Sequence, residues 1–289
     1  MAYDLAIAYR IYPKVTRAAP VFSDDKLKFA DFCLRSFKTA LGTLRFKLYV
    51  LLDNCPSPFE ELFRTYFEAT VLELVPLPGI GNRPTFGKQI DLLLSQRDSE
   101  YVYFGEDDYF YRSGALEEML RFVKGNDDAH FVTPYDHTDS YRLPLHPKRQ
   151  EQRSFGGREW KTCASTCLTF LTRKSILQQT ERTFRTYQRT NLDVSLWMAL
   201  TKQTARNPLA FARCCLRKLN YGGYIAQSWR YSFRQLAFGP KWKLWRAVPS
   251  LGTHMVNGLL APGVDWKEMF TRGQATVLTK DAQDAPKKN

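Results

Sequence analysis

The sequence predicts an α/β protein: a mostly parallel, Rossmann-like sheet flanked by helices, followed by a mainly helical, basic C-terminal extension. Three observations predict it. Short β-prone apolar runs alternate with amphipathic stretches about five times in the first 135 residues, the pattern of βαβ units. Acids stand at the ends of three such runs, at Asp53, at Glu106–Asp107–Asp108 and at Asp136, on the edge where parallel sheets take ligands. From residue 194 to 264 there are ten Lys and Arg and no Asp or Glu, with Trp229, Trp242 and Trp245 among them.

Taken in order, 3–12 is an apolar strand. In 24–41 apolar residues recur at steps of three and four (Leu27, Ala30, Leu34, Phe37, Leu41), an amphipathic helix with Ser23 or Asp24 to cap it and Gly42 to end it. A second strand in 45–58 closes on the turn Asp53-Asn54-Cys55-Pro56. A helix over 58–69, a strand over 70–79, a helix over 85–97 and a fourth strand over 101–108 follow, then a helix over 115–125 and a strand over 129–136. The polar, Pro-, Gly- and Arg-rich stretch 140–160 reads as a loop. Residues 163–180 read as a strand leading into a helix, and 190–202 as a short helix capped at Thr190 or Asn191. The expected division is a catalytic domain over 1–200, a basic aromatic region over 201–278 and a disordered tail over 279–289.

The bulk numbers narrow the partners. Lys and Arg number 42 against 29 Asp and Glu, a formal net charge of +13. That excess suits an anionic partner: nucleotide phosphates, acidic lipid or nucleic acid. No run approaches the roughly 20 apolar residues of a membrane span, and the N-terminus lacks a secretory signal pattern, so a cytoplasmic location is expected. Cys33, Cys55, Cys163, Cys167, Cys214 and Cys215 lack the spacing of a zinc site and read as reduced thiols.

"YVYFGEDDYFY" (101–111) carries the chemistry. Three adjacent carboxylates repel one another and are penalised on burial. They become favourable around a hard divalent cation such as Mg²⁺ or Mn²⁺, which prefers carboxylate oxygens and bridges to phosphates. At the end of a strand in a nucleotide-type sheet, this points to a nucleotide diphosphate whose leaving charge the ion neutralises.

An apolar strand running into Glu-Asp-Asp, in a chain that opens with alternating βα units, resembles the GT-A glycosyltransferases, close to the family-2-like bacterial enzymes. The resemblance spans roughly residues 3–200. It implies a metal-dependent enzyme with a nucleotide-sugar donor, Asp108 as metal ligand, and Glu106 and Asp107 at the ribose, the sugar or metal-bound water. It also implies that Asp53 contacts the nucleoside; read alone, Asp53 equally well shapes an Asx turn before Pro56. At the end of the first strand, Tyr9, Arg10 and Tyr12 could stack a base and meet a phosphate. Asn82 and Lys88, in "GIGNRPTFGKQID" (79–91), are candidates for the pyrophosphate or sugar; the stretch is neither GxGxxG nor a Walker A loop.

Inverting transfer needs a carboxylate to deprotonate the acceptor hydroxyl. In GT-A enzymes it often ends a Glu-Asp pair at a helix start; here Leu192 precedes Asp193, the candidate base. Asp136 and Asp139 are rivals, and Asp136 could instead bind acceptor. The resemblance offers His254 as a second metal ligand, in keeping with imidazole's affinity for Mn²⁺. The basic aromatic segment 202–246 suits a cytoplasmic anionic lipid surface at about 1 kcal/mol per basic residue, beside a lipid-linked or growing glycan of surface polysaccharide biosynthesis. Two other classes remain: a metal-dependent nuclease or nucleotidyltransferase gripping nucleic acid with that segment, and a non-catalytic adaptor that keeps the fold.

Overall fold

The computed structural model describes residues 2–15, 18–143, 146, 150–217 and 219–274. The first half runs β1 (Leu5–Ile11), α1 (Lys26–Ala40), β2 (Phe46–Asp53), α2 (Ser57–Tyr66), β3 (Leu72–Leu77), α3 (Asn82–Ser95), β4 (Tyr101–Glu106), β5 (Tyr109–Tyr111), α4 (Ala115–Lys124) and β6 (Phe131–Thr133). It continues with α5 (Asp139–Arg142), β7 (Gln152–Phe155), β8 (Arg158–Cys163), β9 (Phe170–Arg173), α6 (Lys174–Phe184) and α7 (Asp193–Thr201). Then come α8 (Pro208–Arg217), α9 (Leu219–Ala237), β10 (Leu244–Val248) and β11 (Gly252–His254).

The fold class is the expected Rossmann-like α/β sheet. Among the described residues, nine strands form one sheet in the order β3-β2-β1-β4-β9-β6-β10-β8-β7. The β3-β2-β1-β4 part is parallel throughout; β9 runs against β4 and β6, and β8 against β10 and β7. Because side chains alternate along a strand, β1 feeds two cores. Leu5, Ile7, Tyr9 and Ile11 pack with α1, α2 and α4, whereas Ala6 and Ala8 face Phe86 and Ile90 of α3 together with α6 and α7. Burial on both faces explains the unbroken apolar run that marks β1 in the sequence.

Several local expectations are corrected. Asp25, not Ser23 or Asp24, caps α1, its carboxylate accepting from Lys28 N at 3.0 Å. Helix α3 starts at Asn82, so Pro84 sits in its first turn, where the missing N–H does no harm. Helix α7 begins after Leu192; Asn191 instead accepts from Leu192 N and donates to Thr186 Oγ1. The presumed loop 140–160 contains α5 and the hairpin β7–β8. The hairpin turns on Gly156 and Gly157, both at positive φ (62° and 76°), as a two-residue type I′ turn requires. That Gly-Gly pair was the overlooked signal.

The C-terminal half departs furthest from its reading. The expected boundary at 200/201 falls inside the last turn of α7 (Asp193–Thr201), and beyond the helices that follow the chain re-enters the main sheet. Strand β10 lies between β6 and β8. Trp242 and Trp245 are therefore core residues, 6% and 0% exposed. Lys243 is paired with Asp128 and Glu151, and Arg246 with Asp136. Among the described side chains, the basic character read along 202–246 thus reaches the surface through Arg206, Arg230, Arg234 and Lys241. The 279–289 tail lies outside the described residues.

Candidate nucleotide and metal site

The site is built where β1 and β4 end side by side. Tyr9 pairs with Gly105 and Arg10 with Glu106 across this ladder. A Cβ on residue 105 would stand 2.8 Å from the Tyr9 ring, so glycine is what lets the strands lie flush there. Tyr9 itself is 1% exposed and packs on Phe37 and Phe63; the base-stacking role considered for it falls away. Gln89, buried on α3, donates to both Ala8 O (2.7 Å) and Gly105 O (3.0 Å), stapling the two strand ends.

The three carboxylates have three different surroundings. Glu106 is ion-paired with Arg10, and its other oxygen accepts from Thr169 Oγ1 at 2.6 Å. Arg10 also donates to the backbone and side-chain oxygens of Asn82, tying α3 to the strand end. Asp107 accepts from Tyr12 N at 3.2 Å and pairs with Lys26 at 2.6 Å. Burial pushes its pKa up, and repulsion from Asp108 adds to this against the pull of Lys26. Asp108 faces His254, Nε2 to Oδ2, at 2.9 Å. Burial opposes its ionisation, but His254, Lys26 and Arg10 hold its pKa down at about 2.

Asp108 Oδ1 is buried and has no hydrogen-bond partner among the described residues. A buried carboxylate oxygen without a donor is costly, and a bound cation would offset that cost. The hard oxygen and adjacent imidazole nitrogen form a donor set suited to Mn²⁺ or Mg²⁺. Among the described residues no three His, Cys, Asp or Glu side chains converge on a metal. An ion held here would complete its shell with water and a ligand's phosphates, the usual habit of Mg²⁺. His254 reaches this corner because β11 pairs antiparallel with β5, setting His254 opposite Tyr109. Its ring stacks on Tyr109 with centroids 5.2 Å apart, and Met255 N donates to Asp108 O at 2.8 Å.

The three acids open onto a cleft of about 370 Å³ lined also by Arg10, Tyr12, Lys26, Asp53 and Asn82, among others; His254, bonded to Asp108, does not itself line it. Asp53 is buried and accepts from Ile80 N and Gly81 N, both at 2.8 Å. It therefore fixes the β3–α3 loop across the cleft, rather than shaping a turn before Pro56. Lys14 joins Lys26 and Arg10 as a third cation on the cleft wall. Lys88 is exposed on α3 and does not line the cleft, because it sits beside Gln89 on the side of the helix turned away from the sheet.

Asp136 is not at the cleft either. It and Arg246 are each 1% exposed and ion-paired at 2.8 Å, and Tyr141 donates to Asp136 at 2.6 Å. Asp193 stands at the start of α7, half-buried, accepting from Val194 N at 2.7 Å. It does not line the cleft, but its charge is felt behind the acidic cluster. Burial, then Asp193 and Glu106, push the Cys167 thiol up. Tyr187, whose hydroxyl accepts from Asn82 at 3.3 Å, is also raised by burial first and then by Glu106 and Asp193, against Arg10. Sequence reading missed Lys26 and Thr169. A lone lysine opening a helix and a threonine carry no signal apart from their contacts.

No family model and no curated protein matches the chain. Among solved structures it is similar to TarS of S. aureus in complex with UDP, at 14% identity and TM-score 0.40, over 68% of this chain and 54% of that one. The chain thus spans about half of that TarS structure. A second TarS structure matches at 14% identity and TM-score 0.39, covering 81% and 74%. CMP:2-keto-3-deoxy-manno-octonic acid synthetase complexed with CTP matches at 7% identity and TM-score 0.39, covering 62% and 78%. Likeness at this level concerns the course of the chain and bears on no residue of the site.

Proposed function

We propose that the chain is a divalent-metal-assisted glycosyltransferase. It moves a sugar, with inversion, from a nucleotide-diphosphate donor to a glycan or lipid-linked acceptor of surface polysaccharide biosynthesis, at the inner face of the membrane. The observation that carries the reading is the unpartnered Asp108 Oδ1 beside His254, in a cleft whose other walls bear Arg10, Lys14 and Lys26.

Mn²⁺ or Mg²⁺, held by Asp108 and His254, would offset the charge that grows on the departing diphosphate. Lys14 and Lys26, which also line the cleft, meet the phosphates. Glu106 and Asp107, held by Arg10 and Lys26, present their remaining lone pairs to ribose or sugar hydroxyls, and Tyr12, 36% exposed, offers a ring face to the base. The acceptor oxygen bonds to the anomeric carbon as the sugar–phosphate bond breaks, the bonding pair leaves with the nucleoside diphosphate, and the hydroxyl proton passes to Asp193.

The nuclease or nucleotidyltransferase reading is weaker. It would draw further metal-binding acids from other strands, and Asp53 and Asp136 are occupied by backbone amides and by Arg246. Titration calorimetry of UDP and GDP with and without Mn²⁺ tests the proposal. Metal-dependent binding that Asp108→Asn removes is the expected outcome; failure of every nucleoside diphosphate to bind with metal present defeats it.

A further inference from the structure

Helices α8 and α9 form a hairpin against α7. Their inner side is satisfied: Ile225 and Leu236 are buried against Met198, Ala199 and Ala205. The outer side is not polar, as a solvated helical surface would be. Leu209 is 75% exposed, Leu216 88%, Phe233 54% and Phe238 81%. Leu209 and Leu216 lie two turns apart on one face of α8. The backbone of α9 kinks at Ser232 (φ −132°, ψ 32°), and beyond the kink Phe233 and Phe238 meet edge to face at 6.1 Å. Arg206, Arg230, Arg234 and Lys241 are exposed around them. None of the four forms an ion pair with a described residue, and no acid occurs between 194 and 264.

We propose that the outer face of the α8–α9 hairpin docks on an anionic phospholipid surface, with these leucines and phenylalanines seated at the acyl boundary and the arginines and lysine at the headgroups. The charge selects the occupant. A second copy of the chain would bring cations against cations, with no acid in the segment to relieve them. A nucleic acid would satisfy the cations but leave aliphatic side chains against phosphate and water. An anionic bilayer meets both sets of groups, as for other interfacial helices. The inference deepens the proposed function, resting on it for the reason a lipid-linked acceptor would be approached. The donor cleft is not part of this face.

Co-sedimentation with vesicles of phosphatidylglycerol and phosphatidylcholine, and with pure phosphatidylcholine, tests it. The full chain is expected to partition onto the anionic vesicles only, less so as salt rises. The double variants Phe233→Ser/Phe238→Ser and Leu209→Ser/Leu216→Ser should each lose at least tenfold in partition, with unchanged circular dichroism because the side chains replaced are exposed. Absence of binding to anionic vesicles, or binding indifferent to both double variants, overturns the proposal. So does binding of a DNA duplex, or self-association, that the variants abolish while vesicles are ignored. Mn²⁺-dependent nucleotide titration of the same preparations reads the donor site independently, so failure there would sink the transferase reading and leave the lipid result standing.

Discussion

Two carboxylates stand just past the ends of neighbouring parts of one sheet, Asp108 after β4 and Asp136 after β6, and they have opposite fates. Asp136 is sealed in an ion pair with Arg246, both side chains 1% exposed, and Tyr141 covers its second oxygen. Asp136 Oδ1 has the Arg246 guanidinium beside it, whereas Asp108 Oδ1 has neither a hydrogen-bond donor nor a paired cation among the described residues and faces a cleft. Residue type and strand-end position are the same; the cation brought in by β10 decides. A strand-end acid with a built-in guanidinium is structural, and one left short of a partner is the candidate for an exchangeable cation.

The largest effect that tests this contrast is on stability. Arg246→Leu strands a buried carboxylate and should destabilise the fold by about 3–5 kcal/mol in denaturant unfolding, whereas Asp136→Leu/Arg246→Leu recovers most of the loss. A single-variant cost under about 1 kcal/mol would show that the pair is not sealed and break the comparison. Asp108→Asn should act the other way round. Metal-dependent transfer falls on the order of 10²–10³-fold, roughly 3–4 kcal/mol, while the metal-free protein loses less stability than Arg246→Leu does, because relief of the repulsion onto Asp107 offsets part of the lost attraction to His254, Lys26 and Arg10. A large drop in its melting temperature would make Asp108 another structural acid.

Gly105→Ala sharpens the same point through the backbone. With a Cβ placed 2.8 Å from the Tyr9 ring, it should cost about 1–3 kcal/mol and weaken nucleotide binding as the β1 and β4 ends part. The smallest expected effect is that of His254→Gln, about tenfold weaker Mn²⁺ in metal titrations, near 1.4 kcal/mol, with nucleotide binding in the absence of metal unchanged.

Much of this was legible in the chain, and the limits have physical causes. β1, β2 and β4 were readable because strands buried on both faces are apolar throughout, and the acids at their ends stood out against that background. The pairing of His254 with Asp108 was not readable by geometry, since β11 is three residues long and carries no alternation. Arg246 was misread for a related reason. A guanidinium among tryptophans and lysines looks solvated unless the acid that neutralises it, 110 residues earlier, is known to be beside it. Tyr9 and Lys88 were placed at the site by proximity in sequence; side-chain alternation along β1 turned Tyr9 away and the helical period of α3 turned Lys88 away. Asp193 was picked out as the only acid between Glu181 and Asp265, at a helix start, and it stands at the start of α7 outside the lining of the cleft.

The late position of β10 also governs the order in which the molecule can be completed. As the chain leaves the ribosome, the strands on either side of β10's slot are made about eighty residues or more before the one that fills it. The imidazole that faces Asp108 follows 146 residues after its partner. Such long-range closure is slow and leaves unpaired strand edges in the meantime. Until β10 and β11 have been synthesised, the nascent protein therefore has a gapped sheet and lacks the imidazole that faces Asp108, so early release by the translation machinery should yield an aggregation-prone fragment.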